Sequence, residues 1–522
     1  MPRRAPEYDA IVVGSGMTGG WAAKELTELG LRTLVLDAGR PIVPNKDYRE
    51  HTPPWAMPFR GLGDRQAVAR RQAVQRNSVT FDEMSHQFWV DDVDNPYSTP
   101  ANKAFHWFRA RQVGGKSIIW GRQVYRWSDL DFEANLRDGI GVDWPIRYAD
   151  IAPWYDLVER FIGVSGQTEG LAHLPDGPFL PPMAMNCVES HVRDRMASKF
   201  GRDRVLTMGR VAVLTERHNG RAACHYCGPC HRGCVTRSYF SSVNATLPAA
   251  EATGRLTLMP DSIARHLVYD DQTNRVSGVL VLDARTRETR EYTARVVFLC
   301  ASALESARIL LNSATSRHPD GLANSSGQVG RNVMDHIKWG GASGTFDGWS
   351  DRQPIGQRPN GIYIPRFRNV TTRHPRFHSR LRISGWRGAR RVGGESQGAG
   401  HRACIQGRPN AARPLDDELR WLRRDAAASR ESGDGASHAR RRVGDSRAAH
   451  HVRVERQRAG HSSRHERDRG RAARGGGREG HPSRRSRAEH AGQHESRDGD
   501  GAHGARPEDV GAERLESELG RA

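Results

Sequence analysis

Four cysteines lie within the eleven-residue segment CHYCGPCHRGC, at Cys224, Cys227, Cys230 and Cys234. Their C-x2-C-x2-C-x3-C spacing, on a loop bent by glycine and proline, lets four thiolates converge on one small inorganic core. The pattern nearly matches the bacterial ferredoxin run, which has proline where this chain has Val235. An iron–sulfur cluster is the favoured prediction. Zinc, whose ligand pairs are usually further apart, and unliganded thiols stay as alternatives.

A glycine-rich turn near the amino terminus is the second candidate site. Alternating and helical patterns predict a strand, a helix and a second strand at residues 8–14, 21–30 and 31–37. Between strand and helix, Gly14, Gly16 and Gly19 have the G-x-G-x-x-G spacing that brings a pyrophosphate close to a helix amino terminus. Asp37 ends the second strand, where an acidic side chain accepts hydrogen bonds from ribose hydroxyls. The unit predicts a dinucleotide site without distinguishing FAD from NAD.

Three segments resemble the glucose-methanol-choline (GMC) family of flavoprotein oxidoreductases. They are the amino-terminal unit ending in LDAGR, the loop RQVGGKSIIWGR at 111–122, and VVFLCASALESARILLNS at 296–313 followed by VGRNVMDH at 329–336. The resemblance covers most of residues 8–337 and implies FAD as the cofactor. By that resemblance the FAD-binding residues are Gly14, Ser15, Gly16, Gly19, Gly20, Asp37, Arg40, Gly114, Gly115, Ser117, Trp120, Ala301 and Asn332.

Position 119 departs from the pattern of those family members that bond FAD covalently. Such members have a histidine before the tryptophan of a GGxSTHW-like loop, whereas this chain has Ile119 before Trp120. Because isoleucine cannot form the link, non-covalent FAD is expected.

The cysteine loop is similar to that of bacterial sugar dehydrogenases in the same family. The resemblance implies that electrons arriving at FAD as a hydride leave singly, to a cytochrome or a small partner subunit, instead of to oxygen. We therefore expect a dehydrogenase that acts on the CH–OH group of a small alcohol or sugar, with a sugar or glycoside favoured.

The composition changes abruptly at Pro375. From Arg376 to Ala522 the chain has 33 Arg against 21 Asp plus Glu and lacks Lys, Tyr, Met and Thr. That is a net charge of +12 out of +20, which leaves +8 for residues 1–375. With too few apolar residues to bury a core, residues 376–522 are predicted to be a disordered, low-complexity tail. Taken literally, the tail indicates nucleic-acid binding through phosphate contacts.

An out-of-frame reading of a GC-rich gene explains the tail better, so nucleic acid is not an expected partner. Shifting a back-translation of residues 376–386 by one base permits DFIRGYGFQGG, which resembles sugar-oxidising family members. The same shift from Ser496 permits HEMGTAHMG, which resembles the family's carboxy-terminal H-x-x-G-T-x-x-M-G motif. In the family a histidine of that motif removes the alcohol proton. The chain as written lacks it, so we assign no catalytic residue and expect impaired activity.

The predicted fold is α/β, a Rossmann-like FAD-binding domain interleaved with a substrate-side lobe. The FAD domain is assembled from residues 8–40, 105–125 and 255–340, and the lobe includes an amphipathic helix within 144–166 whose tryptophans and tyrosines are expected in the core. No apolar run could span a membrane, and no secretion signal begins the chain. A cytoplasmic protein is expected, with periplasmic export beside a partner subunit left open.

Overall fold

The computed structural model describes residues 5–60, 62–334, 336–337, 343–346, 349, 352, 355–373, 381–385, 401–404 and 419–424. The chain divides into two units, Met1–Arg456 and Gln457–Ala522, and the second lies outside the described residues. None of the helices in the described ranges combines the length and the apolar character that a membrane crossing requires.

The strands are β1 (Tyr8–Val13), β2 (Thr33–Leu36), β3 (Thr207–Met208), β4 (Leu256–Met259), β5 (Ser262–Asp270), β6 (Arg275–Asp283), β7 (Thr289–Leu299), β8 (His336–Ile337), β9 (Ser343–Phe346), β10 (Ile362–Ile364), β11 (Leu381–Gly385), β12 (His401–Cys404) and β13 (Leu419–Arg424). The α-helices are α1 (Met17–Glu28), α2 (Pro44–Asp47), α3 (Arg65–Arg71), α4 (Asp129–Phe132), α5 (Ala134–Asp138), α6 (Tyr148–Ile162), α7 (Cys187–Phe200), α8 (Thr246–Ala252) and α9 (Ala303–Asn312).

A six-stranded sheet in the order β4-β2-β1-β7-β6-β5 carries the glycine turn. The strands β4, β2, β1 and β7 are parallel, and β6 and β5 continue antiparallel beyond β7. Both β1 and β2 are rich in Val, Ile and Leu because a parallel strand is buried on both faces. The connection from β1 through α1 to β2 is the predicted βαβ unit, and the predicted α/β class is confirmed.

The two faces of this sheet are covered unequally. On one face Val12 and Val35 pack with Ala23 of α1 and Leu247 of α8, and on the other Leu36 packs with Ile309 of α9. Side chains alternate along β7, so its apolar residues divide between the faces. The α9 face receives Val297 and Leu299, while on the opposite face Val296 and Phe298 stay 42% and 38% exposed. Within the part of the chain that the structure describes, the carboxyl end of β7 is therefore only partly covered on that face.

A second sheet, antiparallel, has the strand order β3-β10-β11-β13-β8, and β12 pairs with β9. The strands β11, β12 and β13 belong to the segment 376–522. Antiparallel pairing uses backbone groups that any extended segment offers, whatever its composition. The remainder of that segment, including the junction at 374–380, lies outside the described residues.

The amphipathic helix expected within 144–166 is α6, but the core position of its tryptophans is wrong. Trp154 is 62% exposed and Trp144, which precedes the helix, is 37% exposed. The buried face of α6 instead includes Glu159, whose carboxylate binds the Arg126 guanidinium at 2.5 Å with both side chains almost fully buried. The buried face of α6 therefore contains an ion pair, and not the tryptophan rings that were expected there.

Candidate functional site

The first glycine turn joins β1 to α1, and sterics require glycine at two of its positions. Gly14 has φ +96°, and a Cβ built on it would lie 2.6 Å from the carbonyl oxygen of Cys300. A Cβ on Gly19 would overlap the Gly14 carbonyl oxygen and lie 2.8 Å from its carbonyl carbon. Gly16 differs, because a Cβ there meets nothing within 4 Å and no side chain caps α1. The turn is therefore tight, yet open at the amino terminus of α1.

Ser15 and Asp37 hold the turn against the end of β2. The Asp37 Oδ2 accepts hydrogen bonds from the Ser15 N–H at 3.1 Å and from the Ser15 hydroxyl, and Oδ1 accepts from the Gly39 N–H at 2.9 Å. Burial raises the pKa of Asp37, and these hydrogen bonds oppose that rise. In this structure the carboxylate fixes the turn. Its contact with ribose hydroxyls stays a prediction.

The second glycine loop meets the first through Ser15. The Gly114 N–H donates to the Ser15 Oγ at 2.8 Å, across 99 residues of sequence. A Cβ built on Gly115 would lie 3.7 Å from the Gly16 Cα, so the two loops face each other at the open end of the turn. The structure thus brings together two of the three segments that the sequence associated with FAD.

Ser242 belongs to the same network, although the sequence did not single it out. Its Oγ donates to the Ser15 carbonyl oxygen at 2.8 Å, and its N–H donates to the Ser117 Oγ at 3.0 Å. The Ser117 hydroxyl in turn donates to the Gly114 carbonyl oxygen at 2.5 Å. A Cβ on Gly20 would approach the Ser242 Cβ to 2.6 Å, so α1 packs closely here. No motif marks Ser242, since its role depends on a buried hydroxyl finding partners.

Two other predicted cofactor residues make bonds to protein groups. The Arg40 guanidinium binds the Asp47 carboxylate at 2.8 Å, and the Trp120 indole N–H donates to the Phe240 carbonyl oxygen at 2.9 Å. The neighbouring Ile119 is 5% exposed and packs in the core beside α1 and β1. The position where the sequence analysis looked for a flavin-linking histidine is therefore an aliphatic core residue.

The third segment reaches the turn at Ala301, directly after β7. The Ala301 Cα would lie 3.1 Å from a Cβ on Gly14, so this residue forms one wall of the turn. Asn332 is exposed, and its side-chain amide donates to Gln328 at 2.8 Å within its own loop. Ser302, which the sequence did not mark, has φ +70° and ψ 165° at the start of α9. Such a conformation is rare outside glycine and tends to occur at functional sites.

The four predicted cluster ligands are free thiols, of which Cys234 is buried and the others are half-buried. Three of them, Cys224, Cys230 and Cys234, pack into one apolar cluster with Tyr239. Burial raises the pKa of Cys224 to about 11 and that of Cys227 to about 12, so both carry protons at neutral pH. Among the described residues, no three or more His, Cys, Asp or Glu side chains are arranged to hold a metal ion. A bound cluster stays a prediction.

A partly buried carboxylate, Asp82, and a buried one, Glu50, anchor the cysteine loop. The Asp82 Oδ2 accepts hydrogen bonds from the His231 Nε2 at 2.6 Å and from the Arg232 Nε at 2.7 Å. The Glu50 Oε1 accepts a hydrogen bond from the Val235 N–H, while its other oxygen, Oε2, is buried without a partner in the described part of the chain. The loop is thereby fastened to the segment that follows β2, a connection that no sequence motif indicated.

Replacing Asp82 with asparagine is expected to destabilise the chain by about 2 kcal/mol at pH 7, because two charge-assisted hydrogen bonds are weakened. Burial opposes ionisation, but His231 and Arg232 outweigh it and hold the pKa of Asp82 below its ordinary value of 3.8. A depressed carboxyl pKa contributes stability above the unfolded-state value, and that stability is lost as the pH falls through the folded-state value. Urea unfolding at pH 7 and pH 3 measures the free energy of unfolding of the parent and of the variant. The difference between the two should be smaller at pH 3 than at pH 7, and an equal difference at both pH values would contradict this prediction.

Comparison with known proteins places these features in a family. Residues 8–338 match the amino-terminal model of the GMC oxidoreductases. Paromamine 6'-oxidase of Streptomyces fradiae is 30% identical over 332 residues, which cover 62% of this chain and 53% of that protein. The fructose dehydrogenase large subunit of Gluconobacter japonicus is 26% identical over 335 residues, 63% of this chain and 58% of that protein. A third relative is 2-methyl-1,2-propanediol dehydrogenase of Mycolicibacterium austroafricanum, 26% identical over 351 residues, 65% of this chain and 56% of that protein.

The chain thus spans little more than half the length of these relatives. The matched region contains the glycine turn, the second glycine loop, the cysteine loop and the strand β7. Because the family model covers more than half of the chain, the chain belongs to the GMC oxidoreductase family.

Proposed function

We propose that the chain is the FAD-binding part of an oxidoreductase that oxidises CH–OH groups. The observation that carries this proposal is the bond from Gly114 to Ser15, which sets two glycine loops face to face at the amino terminus of α1. GMC oxidoreductases generally bind FAD, and the residues present suit it. Gly16 leaves room for a phosphate, and the first amides of α1 lack partners within the helix.

Three parts of the predicted site have a definite task in this proposal. The amides at the start of α1 bind the pyrophosphate, Gly115 lets the second loop approach it, and Asp37 keeps the turn in shape while it offers a remaining lone pair to ribose. When bound, FAD supplies a hydride acceptor. Ile119 offers no atom for a covalent link, so the cofactor is held by these contacts alone.

The substrate class is a sugar or glycoside. Two of the relatives are named for fructose and for paromamine, and the third for a small diol, so a carbinol donor is common to them. We favour a dehydrogenase that passes electrons to a cytochrome or a small subunit. The relative named as a large subunit supports a partner subunit. Free thiols would persist in a reducing cytoplasm, the compartment we propose.

We further propose that the cysteine loop holds an iron–sulfur cluster, with zinc as the alternative. Four thiols on one loop are a donor set that suits either centre.

We also propose that the gene is read out of the frame that encodes the family sequence from about Arg376 onward. The family match ends at residue 338, upstream of Arg376, and the matches to the relatives named above cover 62–65% of the chain, so both leave the segment after Arg376 free to be out of frame. Without the histidine that the shifted frame would encode, no group removes the substrate proton. The chain should then bind FAD without turnover.

One experiment with the purified full chain tests this proposal. Titration with FAD should quench the flavin fluorescence, and acid precipitation should release all of the flavin because no covalent link exists. Addition of sugars and a dye acceptor should give no dye reduction. Absence of flavin binding would refute the main proposal, flavin left in the precipitate would refute the non-covalent link, and sugar-dependent dye reduction would refute the impairment.

A further inference from the structure

The segment between α2 and α3 presents three large apolar side chains to solvent. Trp55 is 86% exposed, Phe59 51% and Leu62 53%, whereas Met57, which lies between them in sequence, is buried. Single exposed apolar residues are ordinary on a protein surface, but several together mark a contact with a partner or a membrane. We call the described residues between 53 and 63 the apolar loop.

Hydrogen bonds hold the apolar loop in a defined shape. Three tight turns follow one another, each closed by an N–H that donates to the carbonyl oxygen three residues earlier, at 2.9–3.1 Å. The buried Glu83 carboxylate accepts hydrogen bonds from the Phe59 N–H at 3.1 Å and from the Gly63 N–H at 3.4 Å. A Cβ built on Gly63 would lie 3.9 Å from the Val68 side chain, so α3 lies beside the loop. Because the main chain is already held, little conformational entropy is lost when the exposed side chains enter a partner.

Positive charge accompanies the apolar loop. Residues 54–79 contain five arginines and one acidic residue, Asp64, which gives a net charge of +4. The Asp64 carboxylate accepts hydrogen bonds from two N–H groups at the start of α3, each at 3.0 Å. Arg60, Arg65 and Arg70 are exposed, and within the ranges that the structure describes none of them forms a salt bridge. The surface around the loop is therefore cationic and suits an anionic partner.

We propose that the apolar loop anchors the chain to the surface of an anionic lipid bilayer. Trp55, Phe59 and Leu62 enter the boundary between headgroups and acyl chains, and the arginines bind acidic headgroups. Tryptophan suits this boundary because its ring is apolar while its indole N–H keeps a polar partner. Three side chains on successive turns can enter lipid without a preformed groove, whereas a protein partner would have to provide a complementary surface. The chain then lies on the membrane and does not cross it.

This inference goes beyond the proposed function and rests on neither FAD binding nor the cysteine loop, so the flavin titration decides that function separately. The segment 376–522, with its net charge of +12, also attracts anionic lipid. The two attractions differ in their response to salt, because ions screen charge attraction but leave apolar burial intact. Binding that survives high salt and depends on Trp55 therefore identifies the apolar loop.

The test measures sedimentation of the full chain and its variants with lipid vesicles, in low and in high salt. The vesicles contain phosphatidylcholine alone or mixed with phosphatidylglycerol. Trp55→Ser is compared with Trp154→Ser, since Trp154 is also exposed, at 62%, but lies on α6. Arg60→Gln is compared with Arg160→Gln, another exposed arginine of α6. Vesicles with brominated acyl chains quench the fluorescence of tryptophans that enter the bilayer, and thermal melting shows that each variant is folded.

We expect Trp55→Ser to lower the affinity for the anionic vesicles in high salt at least about tenfold, and Trp154→Ser to change it less than about twofold. Arg60→Gln should lower the affinity about fivefold in low salt, and Arg160→Gln less than about twofold. Brominated lipid should quench the parent more strongly than Trp55→Ser.

Two results would overturn the anchor. Equal affinity and equal quenching of the parent and Trp55→Ser would show that the loop does not enter lipid. Loss of all binding in high salt would assign the attraction to charge alone. Self-association of the parent without vesicles, if Trp55→Ser abolished it, would assign the loop to contact between copies of the chain and would also contradict the proposal.

Discussion

Replacement of Gly19 with alanine is expected to destabilise the chain by at least about 3 kcal/mol and to abolish FAD binding. The new Cβ would overlap the Gly14 carbonyl oxygen, which is backbone and cannot rotate away. Relief requires α1 to move from β1, and that movement separates the Ser15 hydroxyl from the Gly114 amide that it binds at 2.8 Å. Urea unfolding, followed by far-ultraviolet circular dichroism, measures the loss of stability, and flavin fluorescence measures binding.

Gly16→Ala is the matched control for that substitution. Gly16 has φ −69°, and a Cβ there meets nothing within 4 Å, so the fold should keep its stability to within about 0.5 kcal/mol. The added methyl group would nevertheless occupy the space in which we place the pyrophosphate, so FAD affinity should fall. Equal loss of stability in both variants would show that the open space at Gly16 does not exist. Retained FAD affinity in Gly16→Ala would show that the pyrophosphate lies elsewhere.

Replacement of Glu189 with glutamine is expected to lower the free energy of unfolding by about 3–5 kcal/mol, because it leaves the other partner of a buried ion pair without a counter-charge. The Arg358 guanidinium donates to both oxygens of this carboxylate, at 2.9 Å and 2.5 Å, and both side chains are largely buried. The Glu189 Oε2 also accepts a hydrogen bond from the Asn186 N–H at the start of α7. The pair therefore fastens α7 to the segment that leads into β10, and urea unfolding measures its loss.

A surface ion pair of similar length provides the control for Glu189. Glu133 and Arg137 approach to 2.6 Å on one helical face, but they are 26% and 48% exposed. Water screens such a pair, so Glu133→Gln should cost no more than about 0.5 kcal/mol. A cost for Glu189→Gln as small as that for Glu133→Gln would contradict the structural importance of the buried pair.

Local patterns predicted the elements around the glycine turn well, and the exception has a physical cause. The first strand was predicted at 8–14 and runs from Tyr8 to Val13, but the helix was predicted at 21–30 and begins at Met17. Gly19 and Gly20 lower the helix propensity of the first turn of α1, so sequence patterns alone do not indicate that the helix begins at Met17. Tertiary packing decides otherwise, because only glycine allows α1 to approach Ser242 and the Gly14 carbonyl.

The contacts that complete the site could not be predicted from the sequence, because they join distant segments. Ser15 binds Gly114 and Ser242, which lie 99 and 227 residues away, and no local pattern relates these positions. Arg122 is the last residue of the second glycine loop, and its burial could not be predicted from the sequence, because burial is a tertiary property. Cysteine spacing predicted a ligand set, but spacing alone does not reveal whether four thiols converge.

The partly covered carboxyl end of β7 affects how copies of the chain interact in solution. Val296 and Phe298 present a strip of apolar surface to water, and contact between two such strips releases that water. The net charge of +20 keeps copies apart through mutual repulsion. Salt screens the repulsion over a shorter distance but leaves the apolar attraction intact. We therefore expect added salt to favour contact between copies through this surface, and low ionic strength to oppose it.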